Sequence, residues 1–322
     1  MKYNRVGKSG LKLPQVSLGL WHNFGSVDSF ENAQSILKYA FENGVTHFDL
    51  ANNYGPEPGS AEVTLGKVLR SHLRGHRDEL VISTKAGYKM WEGPYGDGGS
   101  RKYLISSLDQ SLKRMGLDYV DIFYHHRPDP ETPIEETMMA LDHIVRSGRA
   151  LYVGISNYHY NDSEKAFQIL KELGTPCIIH QAKYNMFERW VEEERMLELL
   201  EQWGVGLIAF SPLAQGLLTD RYINGIPEGS RITHSPFLTE STMQRKLPVI
   251  KQLNDLATKE MGVSLSTLAL RWIMRDERVT SVLVGASSVE QLQKNMVALE
   301  ENALPHDVSV RIEEILRAVE TA

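Results

Sequence analysis

The stretch Ser106-Ser107-Leu108-Asp109-Gln110-Ser111-Leu112-Lys113-Arg114-Met115-Gly116-Leu117-Asp118-Tyr119-Val120-Asp121-Ile122-Phe123-Tyr124 changes its hydrophobic period midway. Leu108, Leu112 and Met115 recur at helical spacing and define one apolar face. Gly116 then supplies a residue able to turn left-handed at the helix end. Val120–Tyr124 follows as a short apolar run of strand length. Helix, glycine, strand is the repeating unit of a parallel α/β fold.

The unit recurs in both directions. Ser35–Phe41 places Ile36, Leu37, Ala40 and Phe41 on one face, with Asp28 or Ser29 as candidate N-cap and Asn43-Gly44 as candidate stop. Gly148, Gly174 and Gly204 follow later helices. The apolar runs are Val16–Leu18, Thr46–Leu50, Leu80–Thr84, Val120–Tyr124, Leu151–Ile155, Ile178–Ala182, Gly206–Phe210 and Thr280–Val284. Runs this apolar suit strands covered on both faces. With no composition break or linker, they predict one (β/α)8 TIM barrel spanning residues 1–322 rather than a doubly wound sheet. Three additions are expected. Tyr3–Val6, the turn Gly7–Gly10 and Leu11–Pro14 read as an N-terminal β-hairpin on the barrel floor. The last two runs are separated by about twice the usual spacing, which predicts a long loop and an extra helix. Val308–Ala318 reads as a C-terminal helix.

The 322 residues carry a formal net charge of -6, which disfavours nucleic acid as a partner. Cys177 is the only cysteine, so neither an intrachain disulfide nor a thiolate metal cluster is expected. It reads as a small buried hydrophobe. No signal-type apolar region or membrane-length run is present in the sequence, and a soluble cytoplasmic protein without a membrane partner is expected.

In a barrel of this kind, catalytic groups sit where strands end and the following loops begin. Those positions hold Asp49, Lys85 and His126, with Tyr54 in the loop Ala51-Asn52-Asn53-Tyr54-Gly55. Singly, each has an ordinary explanation: a loop cap, a surface anchor, a core histidine, an exposed aromatic. Together they suit carbonyl reduction. A buried Lys85 needs an acid, which Asp49 supplies. A lysine beside Tyr54 favours phenolate and is expected to lower the phenol pKa from ~10. The phenol then donates a proton to a carbonyl oxygen as hydride reaches the carbon. His126 donates a hydrogen bond to that oxygen.

These residues carry a resemblance to the aldo-keto reductases over essentially the whole chain. It rests on Phe48–Gly55, Ser83-Thr84-Lys85, Tyr119–Phe123 followed by His126, Gly154–Asn157, Gln181, Ala209–Leu213 and Gly285-Ala286-Ser287. The resemblance implies the tetrad Asp49, Tyr54, Lys85 and His126. Counting five residues on from Asp121, as the family pattern does, selects His126 over His125, and strand alternation gives the two opposite facings.

No G-x-G-x-x-G follows a predicted strand, and Gly7-Lys8-Ser9 and Gly66-Lys67 lack the rest of a phosphate loop. The resemblance instead implies NADPH lying across the strand ends. Ser156, Asn157 and Gln181 match carboxamide contacts, and Phe210 matches the aromatic stacked on nicotinamide. Trp21 and the loop residues Ser211, Leu213, Gln215, Gly216 and Thr219 join this cofactor set. Arg221 and Arg231 offer positive charge, with Arg231 matching a contact to the 2′-phosphate. Gly285, Ser287, Gln291 and Asn295 match adenosine-site positions, whereas Lys294 stands where relatives carry an acid.

Within the family, Trp21–Gly25 and Lys89–Tyr103 resemble the bacterial L-glyceraldehyde 3-phosphate reductases. Small aldehydes, including that triose phosphate or methylglyoxal, are the expected substrates. Trp21 and Trp91 are candidate pocket walls, and Arg127 is a candidate contact for an anionic substrate. His125 departs from the small residue expected beside the catalytic histidine. The potassium channel beta subunit branch shares this barrel, which makes an NADPH-binding redox sensor the alternative. Those relatives tend to carry Asn at the place of His126 and a long N-terminal extension. The resemblance also implies a homo-oligomer.

Overall fold

The computed structural model describes residues 1–223, 225–226, 238–298 and 304–320. The chain opens with an antiparallel hairpin, β1 (Tyr3–Arg5) and β2 (Lys12–Pro14). Eight parallel strands follow: β3 (Val16–Gly19), β4 (His47–Asp49), β5 (Val81–Ala86), β6 (Val120–His125), β7 (Ala150–Ser156), β8 (Ile179–Lys183), β9 (Gly206–Phe210) and β10 (Val279–Val284). They close in the order β10-β3-β4-β5-β6-β7-β8-β9. This is the (β/α)8 barrel with its added hairpin. The strands match the apolar runs to within one or two residues.

The helices are α1 (Phe30–Glu42), α2 (Ser60–Ser71), α3 (Arg101–Met115), α4 (Ile134–Arg146), α5 (Tyr160–Glu172), α6 (Trp190–Glu193) and α7 (Met196–Trp203). The long β9–β10 connection contains α8 (Glu240–Asp255) and α9 (Leu265–Ile273), and the chain continues through α10 (Val289–Val297) to α11 (His306–Glu320). Ser29 is the α1 cap, accepting from the Asn32 amide, while Asp28 accepts from the Gly25 amide. Gly116 ends α3 at φ 69, a conformation that costs glycine nothing. The turn it makes delivers the chain to β6, all six residues of which are buried.

Two apolar layers result. The larger lies between the strands and the helices, where Leu108, Leu112 and Met115 are buried. The smaller fills the barrel bore: Val6 and Leu13 of the hairpin pack with Ile122, Tyr124, Ile179, Ile208 and Leu283. The hairpin is held on the floor by Lys8 N donating to Gly204 O at 2.8 Å and Asn4 Nδ2 to Thr280 O at 2.9 Å. With the floor sealed, the opposite end of the bore is where polar groups emerge. Cys177 is buried, and burial pushes its thiol up to about 12. No helix among the described residues is long and apolar enough to cross a membrane.

Candidate active site

β4 and β5 run side by side with Asp49 in register with Ser83. Strand alternation sends Ser83 and Lys85 to the same face, so both reach the one carboxylate. Lys85 Nζ lies 2.5 Å from Asp49 Oδ2 and also donates to Leu50 O at 2.5 Å. Ser83 Oγ donates to Asp49 Oδ1 at 2.6 Å, and Gln181 Nε2 donates to the same oxygen at 3.2 Å. Lys85 is 0 % and Asp49 1 % exposed. Burial pulls the lysine below its ordinary range and Asp49 pulls it back. An ammonium so deep is tolerated only because a carboxylate and a carbonyl take its hydrogens.

The backbone beyond β4 keeps following β5. Leu50 N donates to Ser83 O and Asn52 N to Lys85 O, while Asn52 Nδ2 donates to the Tyr103 hydroxyl at 3.0 Å. This carries Tyr54 over the lysine, with Nζ 5.0 Å from the ring centre. The ring is partly exposed, and the Trp21 ring lies 6.2 Å away.

The expected lowering of the Tyr54 pKa is corrected. Burial of the phenol, with Asp49 and Tyr88 nearby, holds it well above the ordinary tyrosine range. Asp49 compensates the lysine charge at contact distance, so little of that charge remains to favour phenolate. The phenol is held as an acid.

His126 follows β6, its ring 5.9 Å from that of Tyr54 and edge-on to Tyr88 at 4.7 Å. Burial, with the nearby charges of Lys85 and Arg127 and the His125 ring, holds it well below 6.5 and therefore neutral. Its Nδ1 is buried without a partner among the described residues. An orphaned lone pair costs less than an orphaned N–H, so the proton belongs on Nε2. That tautomer makes Nε2 a donor. His125 instead bonds the Tyr158 hydroxyl through Nδ1 at 2.5 Å and is fully buried, away from Tyr54.

The candidate cofactor residues lie along the neighbouring strand ends. Ser156 ends β7. Asn157, at φ 60, donates through Nδ2 to His126 O at 3.0 Å and to Ser156 Oγ at 3.2 Å. Gln181 on β8 touches Asp49, so this row is bonded to the tetrad on both sides. Phe210 closes β9 half-buried after four buried residues. The following turn is strained: Ser211, Ala214 and Gln215 are all left-handed, at φ 53, 48 and 61. Such conformations cost of order 1–3 kcal/mol each and persist where surroundings enforce them. Asn185 Nδ2 pins the turn at Ser211 O, 3.0 Å. Leu213 is half-buried and Gly216 is left-handed at φ 96. Thr219 bonds Gly216 O, and Arg221 is exposed. Arg231 lies outside the described residues.

Beyond β10, Gly285 and Ser287 are exposed. The Ser287 amide and hydroxyl both donate to Gln291 Oε1 on α10. Asn295 is buried with Nδ2 unpartnered among the described residues. Lys294 is exposed and paired with Glu290 at 2.7 Å.

The candidate substrate residues separate. Trp21 lies against Tyr54. Trp91 packs on Tyr103 at 5.2 Å, one step removed through Asn52. Arg127 sits over Tyr88 at 5.2 Å, with its charge engaged by Asp97 at 2.9 Å. Tyr88 was not singled out by sequence, although it contacts both His126 and Arg127. Its signal was position, three residues beyond Lys85 in the loop after β5. Ser83 and Asn52 were missed as supports of Asp49 and the Tyr54 loop, because a serine or an asparagine carries no motif alone.

The model of the aldo/keto reductase family matches residues 15–317. The chain is 56% identical over 308 residues to the L-glyceraldehyde 3-phosphate reductase of Escherichia coli O157:H7, covering 93% of this chain and 88% of that one. It is 55% identical over 308 residues, with the same coverage, to the enzyme so named from Escherichia coli strain K12. The eight-stranded barrel, the polar cluster at its open end and these likenesses agree: the chain belongs to the aldo/keto reductase family.

Proposed function

We propose that this aldo/keto reductase reduces small aldehydes to primary alcohols with NADPH, and that L-glyceraldehyde 3-phosphate is the substrate it is built for. The observation that carries the reading is the buried Lys85–Asp49 pair beneath a partly exposed Tyr54, with neutral His126 alongside. NADPH supplies a hydride to the carbonyl carbon when bound. Tyr54 gives its phenolic proton to the carbonyl oxygen, and His126 Nε2 donates a hydrogen bond there as negative charge develops. Lys85, compensated by Asp49, stabilises the phenolate left behind.

The residues present fit the cofactor. Phe210 offers a half-exposed ring at a strand end. Ser156, Asn157 and Gln181 offer polar side chains beside the tetrad, and the strained Ser211–Gly216 turn with Arg221 suits a phosphate strap. Asn295 Nδ2, without a partner among the described residues, fits an adenine acceptor. Arg231 is the proposed contact to the 2′-phosphate. Trp21 and Trp91 are the proposed pocket walls, with Arg127 the proposed contact to an anionic substrate. The reading extends to methylglyoxal as a second substrate, a single barrel domain over residues 1–322, a cytoplasmic homo-oligomer and a place close to the triose-phosphate reductases.

The test follows NADPH oxidation by absorbance with L-glyceraldehyde 3-phosphate, methylglyoxal and 4-nitrobenzaldehyde. Turnover fastest on the triose phosphate supports the full reading. Turnover on the other aldehydes alone keeps the reductase and removes the substrate. NADPH binding without any turnover moves the reading to a redox-sensing subunit of the channel beta type.

A further inference from the structure

Behind Asp49 a single file of polar side chains crosses the otherwise apolar wall of the barrel. It runs from Asp49 Oδ1 to Ser83 Oγ at 2.6 Å, then to His47 Nε2 at 2.9 Å. From His47 Nδ1 it continues to Ser17 Oγ at 2.8 Å, Ser281 Oγ at 2.7 Å and finally Pro14 O at 2.7 Å. Ser17, His47, Ser83 and Ser281 are all 0 % exposed. Solvent therefore supplies none of their hydrogen bonds, and the file must satisfy itself.

Both ends of the file only accept: a carboxylate and a backbone carbonyl. Five contacts are to be filled by three hydroxyl protons and whatever His47 carries. The single proton of Ser83 goes to Asp49, so the Ser83–His47 contact needs a proton on Nε2. From the other end, the single proton of Ser281 goes to Pro14 O, so Ser17 donates to Ser281. His47 Nδ1 is then required to donate to Ser17. Only an imidazolium meets both demands. Burial, aided by Lys85 and opposed by Asp49, lowers His47 to about 4, so the ring has one proton and the file is one short.

Where the shortage falls decides what His47 does. A bond to a carboxylate is roughly twice as strong as one between neutral groups. Ser83 therefore keeps its proton on Asp49 with either tautomer. An Nδ1–H ring would leave bare Nε2 facing the Ser83 oxygen at 2.9 Å with no proton between them. An Nε2–H ring extends the chain to the carboxylate and leaves the deficit among Ser17, Ser281 and Pro14, which places the proton on Nε2. Ser281 has an alternative acceptor in Gln15 O at 3.4 Å and is the member best able to absorb it.

We propose that His47 is a positioning residue for the reducing site. Locked as the Nε2–H tautomer, it holds the Ser83 hydroxyl in the one orientation that donates to Asp49. Asp49, so oriented, presents Oδ2 to Lys85 beneath Tyr54. His47 touches neither aldehyde nor cofactor and acts only through Ser83. The inference about turnover rests on the reading of Asp49, Lys85 and Tyr54 above; the tautomer does not.

Nitrogen-15 NMR of the imidazole rings in the wild-type protein at neutral pH, assigned by loss of one signal in His47→Gln, is the first measurement. A neutral ring protonated on Nε2 is expected; an Nδ1–H ring overturns the proposal whatever the enzyme reduces. The second is a kinetic cycle over Ser83→Ala, His47→Leu, which has no donor to offer Ser83, and the double variant. Each single change is expected to lower kcat by about 10-fold to 100-fold, the scale of a small misplacement of reacting groups. KM for aldehyde and NADPH is expected to stay within about 2-fold, since neither ligand is touched. The double variant is expected to be no slower than Ser83→Ala alone. Independent, multiplying losses overturn the route through Ser83. Should His47→Gln fail to fold, His47→Asn replaces it, and the ring tautomer in the wild-type protein is assigned by through-bond correlation.

Discussion

The Lys85 ammonium lies 5.0 Å from the centre of the Tyr54 ring while being held at 2.5 Å by Asp49. The tyrosine thus sits over an ion pair rather than over a bare cation. Its hydroxyl stays protonated at rest, and in the proposed reaction the lysine charge becomes useful only when negative charge appears on the phenol oxygen.

Tyr54→Phe removes the proposed proton donor and little else, because the described residues make no hydrogen bond to that hydroxyl. Turnover should fall by about 10²- to 10⁴-fold, the usual worth of a positioned proton donor. NADPH affinity, followed by fluorescence titration, should be unchanged. Retained turnover would reject the assigned role.

Asp49→Asn leaves Lys85 buried without its counter-charge. Removing one partner of a buried pair costs about 3–5 kcal/mol. Urea unfolding should show that loss, and Lys85→Met combined with Asp49→Asn should recover part of it, with activity absent in both. A double variant less stable than Asp49→Asn would mean that the pair is not the element holding this end of the barrel.

Arg127 must release Asp97 before it can meet a substrate anion. Arg127→Leu should raise KM for glyceraldehyde 3-phosphate roughly 10-fold or more, as loss of a charged hydrogen bond does. KM for 4-nitrobenzaldehyde should barely move. Asp97→Asn, which frees the guanidinium, should lower KM for the phosphorylated substrate only. Equal effects on both aldehydes would return Arg127 to a structural role.

Arg231→Ala should weaken NADPH far more than NADH, measured by titration of each. Equal losses would remove the 2′-phosphate from its account.

Acid sensitivity follows from three buried rings. His47, His125 and His180 titrate near 6.5 when unfolded and are lowered by burial to about 4 in the fold. The native state binds fewer protons between those values. Stability is therefore full above pH 6.5 and is lost as pH falls toward 4, by about 3 kcal/mol per ring. That total approaches the whole stability of a typical domain. Urea midpoints should fall steadily from pH 6.5 to 5, with about three to four protons taken up on unfolding at pH 5, one of them by His126, which burial also holds well below 6.5. A flat stability over that interval would contradict the burial of these rings.

The barrel was legible in the sequence because its signals are local. Leu108, Leu112 and Met115 declare a helix face within one turn or two, Gly116 stops it, and Val120–Tyr124 is apolar throughout because both faces of β6 are covered. The clustering of the candidate residues was legible for a related reason: strand ends place Asp49, Lys85 and His126 at one mouth in any closed barrel of this order, and Tyr54 follows in the loop after β4. What neighbours do to one another was not legible. The sign of the Tyr54 shift depends on how close Asp49 stands to Lys85. The engagement of Arg127 by Asp97 joins two loops thirty residues apart in the chain. The file from Asp49 to Pro14 joins Ser17 to Ser281 across 264 positions. Hydrogen-bond directions and buried charge depend on contacts a few ångströms long between distant segments. Periodicity and residue type determined the barrel and its polar mouth; only the packing of β3, β4, β5 and β10 against one another decided which proton sits on which atom.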